Sequence, residues 1–220
     1  MVKIAPSMLS ADFLHLADDV AMVNGNADIF HLDIMDGSFV PNLSYGFPVA
    51  EAIASMAQKP LDVHLMIVNP EKYAVKFVEK GASMVSFHLE AVNDEAKVRT
   101  LLKSIQDAGA EAGLVINPDV PVEKLFPYVG AADYFLIMSV FAGFGGQSFI
   151  PESYGRISAL KAYMNGRGVN APIEVDGGVS KENIDKLHKA GAEIFVAGSA
   201  IFKSQNPADY ILQMRQSCVD

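Results

Sequence analysis

Short apolar runs recur along the chain, separated by longer segments with apolar residues at helical spacing. The runs are KIAPS, DIFHLDIM, LDVHLMI, SMVSFHL, EAGLVIN, DYFLIMSV, APIEVD and EIFVAGS. In the segment after the first run, Phe13, Leu16, Val20 and Val23 recur every three or four positions, which predicts a helix with one apolar face. The pattern therefore predicts eight strands that alternate with helices.

The ends of the predicted helices carry a repeated signal. Gly81, Gly109, Gly130 and Gly191 each precede an alanine between a helical segment and the next strand, and Asn26 occupies the same place in an earlier unit. Glycine, and less easily asparagine, adopts the left-handed conformation that ends a helix. The repetition indicates that one strand-helix unit is used several times.

The predicted strands are apolar on both faces, as in a parallel sheet covered by helices. An open doubly wound sheet and a closed barrel both have this property. Eight units in 220 residues favour the barrel, and APSMLSADF follows the first strand where a dinucleotide-binding sheet would carry G-x-G-x-x-G. We therefore predict an α/β fold, a (β/α)₈ TIM barrel that spans residues 1–220 as a single domain.

Composition and net charge limit the classes of partner that the protein can bind. The net charge of -9 opposes nonspecific attraction to nucleic acid or to an anionic membrane, and no segment approaches the apolar length of a membrane span. One cysteine, Cys218, excludes a disulfide framework and a CxxC pair. We expect a cytoplasmic protein that binds a small molecule, with no nucleic acid and no membrane as partner.

Polar residues gather at the predicted C-terminal ends of the strands, where the active sites of such barrels lie. They are Ser7, His31, Asp33, His64, His88, Glu90, Asn117 and Asp176. Two imidazoles and two carboxylates of this set suit a divalent ion such as Zn²⁺, Mn²⁺, Fe²⁺ or Co²⁺, because Mg²⁺ and Ca²⁺ prefer oxygen ligands. These four are His31, Asp33, His64 and Asp176. The alternative is a buried hydrogen-bonded cluster without a metal.

Three glycine clusters follow the last three predicted strands: GFGGQ at 143–147, DGG at 176–178 and AGS at 197–199. Glycine lets a ligand approach the backbone closely, and backbone N–H groups bind anions without a basic side chain. Each cluster alone has the alternative explanation of a tight turn. Together they predict a phosphate cradle, which explains how an acidic protein could bind an anionic substrate.

The sequence offers no lysine or cysteine nucleophile at the predicted strand ends for covalent catalysis. A Schiff-base enzyme needs a lysine inside the barrel, but Lys3 and Lys59 precede their strands and Lys203 lies beyond the eighth. Cys218 lies near the C-terminal end, away from the predicted strand ends. The mechanism that these residues leave open is acid-base catalysis assisted by a metal ion.

These motifs resemble the ribulose-phosphate 3-epimerase family over nearly the whole chain. The matching segments are IAPSMLSADF, HLDIMDGSFVPNLSYG, LDVHLMIVNPEKY, GFGGQSFIP, IEVDGGV and VAGSAIF. The family is similar in fold to the predicted barrel and converts D-ribulose 5-phosphate to D-xylulose 5-phosphate by epimerisation at C3. The resemblance implies an isomerase of the pentose phosphate pathway that binds one divalent metal ion (zinc, iron, manganese or cobalt) and forms a homo-oligomer, dimer or hexamer.

The resemblance also implies roles for single residues. The metal would be held by His31, Asp33, His64 and Asp176. Asp33 and Asp176 would also be the catalytic pair on opposite faces of the sugar, one removing the C3 proton to give an enediolate and the other returning a proton. The implied substrate-binding residues are Ser7, Met35, His64, Met66, Met138, Gly143, Gly145, Gly146, Gln147, Gly177, Gly178, Gly198 and Ser199.

One segment departs from the family pattern. Between Met138 and Gly143 the family has a small residue, valine, a polar or variable residue and proline, whereas this chain has Phe141 and Ala142 in the last two places. Loss of proline frees the backbone, and an aromatic side chain reshapes the pocket mouth. An epimerase of D-allulose 6-phosphate is therefore an alternative, and a noncatalytic sugar-phosphate-binding barrel is the alternative from another class.

Overall fold

Eight parallel strands form the centre of the protein. The computed structural model describes residues 2–92 and 94–218. The strands are β1 (Lys3–Pro6), β2 (Phe30–Met35), β3 (Leu61–Met66), β4 (Met84–His88), β5 (Glu111–Ile116), β6 (Tyr134–Met138), β7 (Ile173–Asp176) and β8 (Ile194–Ala197). Their order in the sheet is β1-β8-β7-β6-β5-β4-β3-β2. The predicted (β/α)₈ barrel is confirmed, and its extent as a single domain over 1–220 stays a prediction. The expectation that Lys3 precedes its strand is wrong, because Lys3 is the exposed first residue of β1.

Helices surround this barrel. They are α1 (Leu16–Asn26), α2 (Phe47–Met56), α3 (Ala74–Glu79), α4 (Glu95–Asp107), α5 (Ser153–Gly166), α6 (Ile184–Ala190), α7 (Ser199–Phe202) and α8 (Pro207–Ser217). In the part of the chain that the structure describes, no helix combines the length and the apolar character needed to cross a membrane.

The prediction of a helix after every strand is wrong for β5. A 3₁₀ segment, Val122–Tyr128, takes the place of an α-helix there. Pro121 precedes it and Pro127 lies inside it, and proline lacks the backbone N–H that an α-helix requires. After β8 two helices follow, the first of them only one turn long.

Four of the five predicted helix ends have the expected backbone. Gly81, Gly109, Gly130 and Gly191 have φ angles of 102°, 98°, 90° and 118°, in the left-handed region. The prediction for Asn26 is wrong, because this residue is the last of α1 and the chain leaves the helix through Ala27 in an extended conformation. The Asn26 side-chain amide donates to Met22 O, one turn earlier, which retains the residue in the helix.

The barrel closes between β1 and β2. Among the described residues one bridge crosses this seam, between Ser7, which follows β1 directly, and His31 of β2. Neighbouring β2 and β3 pair along their whole length, with His31 opposite Asp62 and Asp33 opposite His64. The closing seam therefore passes through residues predicted for the site.

Alternation along β2 separates packing from chemistry. Leu32 and Ile34 belong to the apolar layer between strands and helices. His31 and Asp33 face the opposite way, into the barrel, because successive side chains of a strand point to opposite faces. In the N-terminal half of the barrel the interior is filled mainly by apolar side chains and by Tyr134.

Candidate active site

A cavity of about 330 Å³ opens at the C-terminal ends of the strands. Its wall includes twelve of the predicted substrate-binding residues: Ser7, Met35, Met66, Met138, Gly143, Gly145, Gly146, Gln147, Gly177, Gly178, Gly198 and Ser199. Asp33 and Asp176 also line it. His64 is fully buried and outside the lining, so its contact with substrate stays a prediction.

The four predicted metal ligands meet at the cavity floor. His31, Asp33, His64 and Asp176 each offer a ligand atom, and these atoms all lie within 4.8 Å of one another. His31 Nε2 and His64 Nδ1 both lie 3.3 Å from Asp33 Oδ1. Their distances to Asp176 Oδ2 are 4.0 and 3.8 Å. Two strands that pair, β2 and β3, and a third from the other side of the barrel, β7, thus contribute to one cluster.

Two nitrogens of the cluster lack hydrogen bonds. Among the described residues, neither His31 Nε2 nor His64 Nδ1 has a hydrogen-bond partner, although both are buried. A buried polar atom without a partner costs about 1–3 kcal/mol. A divalent cation would accept both lone pairs and neutralise both carboxylates, and two nitrogen with two oxygen donors is a set that transition metals accept. The residues therefore fit such an ion.

Asp62 orients the first of these imidazoles. His31 Nδ1 lies 2.5 Å from Asp62 Oδ2, and the Tyr134 hydroxyl donates to Asp62 Oδ1 at 2.8 Å. Glu174 Oε1 lies 3.4 Å from the same His31 nitrogen. A carboxylate at Nδ1 keeps a proton on that atom, so a cation at Nε2 would displace only the second ring proton, the one that faces Asp33. Sequence reasoning missed these three residues, although Asp62 stands two positions before His64 and hence on the same strand face.

The two carboxylates at the floor have different environments. Burial raises the pKa of Asp33, but His31 and then His64 outweigh it, so this pKa lies far below the ordinary range. Ser7 Oγ also donates to Asp33 Oδ2 at 2.5 Å. Burial, followed by repulsion from Asp33, raises the pKa of Asp176 to about 7. Asp33 is therefore ionised, whereas Asp176 can hold a proton near neutral pH.

The two imidazoles differ as well. Burial lowers the pKa of His64 to about 4, and the nearby Asp33 carboxylate opposes this shift only in part. Burial also acts to lower the pKa of His31, but the charges of Asp33 and Asp62 raise it well above the usual value. His64 is therefore neutral at pH 7 and has a lone pair available.

The glycine turns pack too tightly for any side chain. Gly177 and Gly178 have φ angles of 120° and 63°, and a Cβ atom would lie 2.7 Å from Val140 N and 2.7 Å from Phe149 N respectively. At Gly198 it would lie 2.6 Å from Ser10 Oγ. Packing alone thus explains these glycines as turns. All three also line the cavity, where their backbone is open to a ligand.

The segment without proline is braced by side chains. The Gln147 amide donates to Phe141 O and Phe144 O, at 2.7 and 2.8 Å. Asn42 Nδ2 donates to Gly143 O at 3.0 Å. Phe141 is 52% exposed at the mouth of the cavity, as its position in the sequence predicts. Ala142 N also donates to Asn117 Oδ1 at 3.0 Å, so four hydrogen bonds hold the backbone that proline no longer restrains.

One basic residue lines the cavity without having been predicted for it. Lys203 lies beyond the eighth strand, as expected, and it also contributes to the cavity wall. It stands four residues after Ser199, across the single turn of α7, and residues four apart share one face of a helix. That spacing was the available signal.

Comparisons with known proteins agree with the motifs. The model of the ribulose-phosphate 3 epimerase family matches residues 3–202. A ribulose-phosphate 3-epimerase of Synechocystis is 44% identical over 217 residues, which are 98% of this chain and 94% of that protein. The cytoplasmic isoform of Oryza sativa is 42% identical over 219 residues, 98% and 93% of the two chains.

Solved structures show the same fold at lower identity. The crystal structure of KGPDC from Streptococcus mutans superposes with a TM-score of 0.74 at 15% identity, covering 99% of this chain and 97% of that one. At this identity the likeness concerns the barrel alone. The family match and the two relatives carry the assignment: the chain is an enzyme and belongs to the ribulose-phosphate 3-epimerase family.

Proposed function

We propose that this protein interconverts D-ribulose 5-phosphate and D-xylulose 5-phosphate at C3 with one divalent metal ion. The observation that carries the proposal is the placement of Asp33 and Asp176, from β2 and β7, on the floor of one cavity beside two unpartnered imidazole nitrogens of the described residues. The C3 proton lies next to the C2 carbonyl, so a carboxylate can remove it once the resulting negative charge is stabilised.

The ion would be held by His31, Asp33, His64 and Asp176, whose ligand atoms converge at the floor. When bound, a divalent ion stabilises the negative charge that develops on the C2 oxygen. Zinc, iron, manganese and cobalt all accept this donor set. The protein's own part is to aim the two histidine lone pairs, which requires that each ring carry its proton on the other nitrogen.

Asp33 and Asp176 divide the proton transfer. Asp33, held ionised by its imidazole neighbours, removes the C3 proton from one face of the sugar. Asp176, on the opposite side of the cavity floor, delivers a proton to the other face, and the roles exchange in the reverse reaction. Two carboxyl groups whose pKa values are pushed apart by their environments are suited to these complementary tasks.

The cavity wall provides the remaining functions. Met35, Met66 and Met138 line it beside the two aspartates and give a water-poor wall around the reacting carbons, in which charges interact more strongly. Backbone groups of the three glycine turns bind the phosphate, and Lys203 adds a positive charge at the edge. The residues proposed for the phosphate are Gly145, Gly146, Gly177, Gly178, Gly198 and Ser199.

The alternatives receive no support. The matched relatives are named as ribulose-phosphate 3-epimerases, and both aspartates that a noncatalytic barrel would not need are in place.

A cytoplasmic location is proposed from the Oryza relative. A homo-oligomer, dimer or hexamer, is proposed from the resemblance to the family, and light scattering of the purified protein will give its mass.

Solvent exchange tests the reaction directly. The protein is incubated with ribulose 5-phosphate in D₂O with Zn²⁺, Mn²⁺, Fe²⁺ or Co²⁺, and deuterium at C3 is followed by NMR. We expect exchange at C3 together with formation of xylulose 5-phosphate. Allulose 6-phosphate is the comparison substrate, and we expect a lower kcat/KM for it. Absence of exchange with ribulose 5-phosphate under every metal would refute the proposed reaction.

A further inference from the structure

A third histidine lies against the proposed metal centre. His64 Nε2 is 2.9 Å from His88 Nε2, and the two rings are stacked with centroids 5.0 Å apart. Both side chains are fully buried. Two ring nitrogens at this distance form a hydrogen bond only when one carries a proton and the other presents its lone pair.

The direction of this bond follows from the metal site, so the inference rests on the proposed function. His64 would bind the ion through Nδ1, the atom that faces Asp33 and Asp176. A neutral ring that uses Nδ1 as a ligand has its proton on Nε2. His64 must then donate to His88, and His88 must carry its own proton on Nδ1.

That proton on His88 Nδ1 needs an acceptor, and two side chains are near. Asn117 Nδ2 lies at 3.3 Å, and Glu90 Oε1 at 3.5 Å. The Asn117 amide is fixed by its other bonds, since Oδ1 accepts from Ala142 N at 3.0 Å and Nδ2 donates to Glu90 Oε1 at 2.9 Å. Asn117 therefore offers His88 only a donor, and of the two side chains only Glu90 can accept a proton from His88 Nδ1.

We propose that His88 and Glu90 are positioning residues: Glu90 accepts the Nδ1 proton of His88, so that His88 Nε2 accepts from His64 and the Nδ1 lone pair of His64 stays aimed at the metal site. The opposite order, with Asn117 donating to His88 Nδ1, would place a proton on His64 Nδ1 and block that atom. The carboxylate decides between the two orders, because it attracts the imidazole N–H.

The two metal-binding imidazoles are thus anchored in different ways. His31 donates directly to the Asp62 carboxylate at 2.5 Å, whereas His64 reaches a carboxylate only through a second imidazole. Partners that orient ligand histidines change metal affinity by about 10- to 100-fold when removed. The same range is expected for His88 and Glu90.

Four variants distinguish a positioning role of His88 and Glu90 from a role in packing alone. His88→Phe keeps an aromatic ring beside His64 but removes the acceptor, and His88→Gln restores an acceptor through its amide oxygen. Glu90→Met removes the terminal carboxylate at similar length. Glu123→Met is the matched control, because Glu123 is exposed and its loss changes the net charge equally. Circular dichroism and thermal unfolding verify that each variant is folded.

Zn²⁺ affinity is measured by competition with a chelator, and ring protonation by two-bond ¹H–¹⁵N NMR of the histidines in the zinc-loaded wild type. We expect protons on Nε2 of His64 and Nδ1 of His88. We expect affinity to fall about 10- to 100-fold in His88→Phe and Glu90→Met and to stay within about threefold of wild type in the other two variants.

The outcomes distinguish the two proposals. A wild-type protein that binds none of the four divalent ions refutes the metal site itself, and the relay with it. Tight zinc binding in the wild type with equal affinity in His88→Phe and Glu90→Met, or with the His88 proton on Nε2, overturns the relay and leaves the proposed reaction standing.

Discussion

Asp33 and Asp176 are the same residue type in two environments. Asp33 lies between two buried imidazoles and accepts from Ser7, whereas the Asp176 side chain is 17% exposed at the cavity. Their pKa values consequently move in opposite directions from the ordinary value. At the scale of single residues, position in the barrel rather than residue type determines which carboxyl group can carry a proton.

Replacement of one carboxyl group tests this division. Asp176→Asn retains size but removes the titrating group, so we expect kcat for ribulose 5-phosphate to fall at least about 10²-fold, the usual contribution of a general acid or base. Turnover is measured with a coupled assay for xylulose 5-phosphate. Asp119→Asn, at an exposed position, is the control and should retain wild-type turnover. Near-normal activity of Asp176→Asn would remove Asp176 from the mechanism.

The sequence predicted which residues form the site, but it did not predict the hydrogen bonds that orient their side chains. Strand alternation predicted that His31 and Asp33 share one face, and the structure agrees. The bonds from His31 to Asp62 and from His64 to His88 were not foreseen, because they depend on the register between neighbouring strands. Register is set by packing across the sheet and is invisible in a single strand's pattern.

At the scale of elements, β5 and β6 pack closely because Gly113 of β5 has no side chain and the Tyr134 ring of β6 occupies that space. A Cβ atom on Gly113 would lie 2.6 Å from Tyr134 Cε2. The space left by Gly113 accommodates the phenol ring, whose hydroxyl reaches Asp62 across the barrel. A glycine in a buried strand thus supports the anchoring of His31.

Gly113→Ala should therefore be destabilising. Overpacking a buried site costs about 1–3 kcal/mol in the free energy of unfolding, measured by urea denaturation. Gly155→Ala is the matched control, because nothing lies within 4 Å of the added Cβ in α5. Alanine is the better helix former, so this variant should be as stable as wild type or slightly more so. A stable Gly113→Ala protein would contradict the role of the gap.

The ends of the helices show when a local sequence pattern is sufficient to predict where a helix stops. Gly81, Gly109 and Gly191 ended their helices as predicted because only glycine adopts that conformation at little cost. Asn26 did not, since its side chain had a competing bond to Met22 O within the helix. Such a competing hydrogen bond depends on the local geometry, which the residue type alone leaves open.

At the scale of the whole molecule, the site also joins distant parts of the barrel. Its proposed ligands come from β2, β3 and β7, and the bridge between Ser7 and His31 closes the barrel at the same place. A ligand bound at the cluster connects strands that do not all pair with one another. Its binding should consequently stabilise the whole fold.

Thermal unfolding with and without metal measures this stabilisation. An ion present at 100 times its dissociation constant adds about 2.7 kcal/mol if it binds only the folded state. We expect Tm to rise when Zn²⁺, Mn²⁺ or Co²⁺ is added to chelator-treated protein and to fall again with chelator. Ca²⁺ is the control and should have little effect, because it prefers oxygen ligands. An unchanged Tm with every transition metal would contradict the metal site.

The sequence by itself determined the number and order of the strands, the face on which each strand-end side chain lies and the glycine turns that follow the last three strands. These follow from local periodicity and from the conformational freedom of glycine. Only the tertiary structure decided that His31 rests on Asp62, that His64 meets His88, and that Asp33 and Asp176 acquire different pKa values. Those features depend on distances and burial between strands far apart in the chain, and such distances exist only once the barrel has closed.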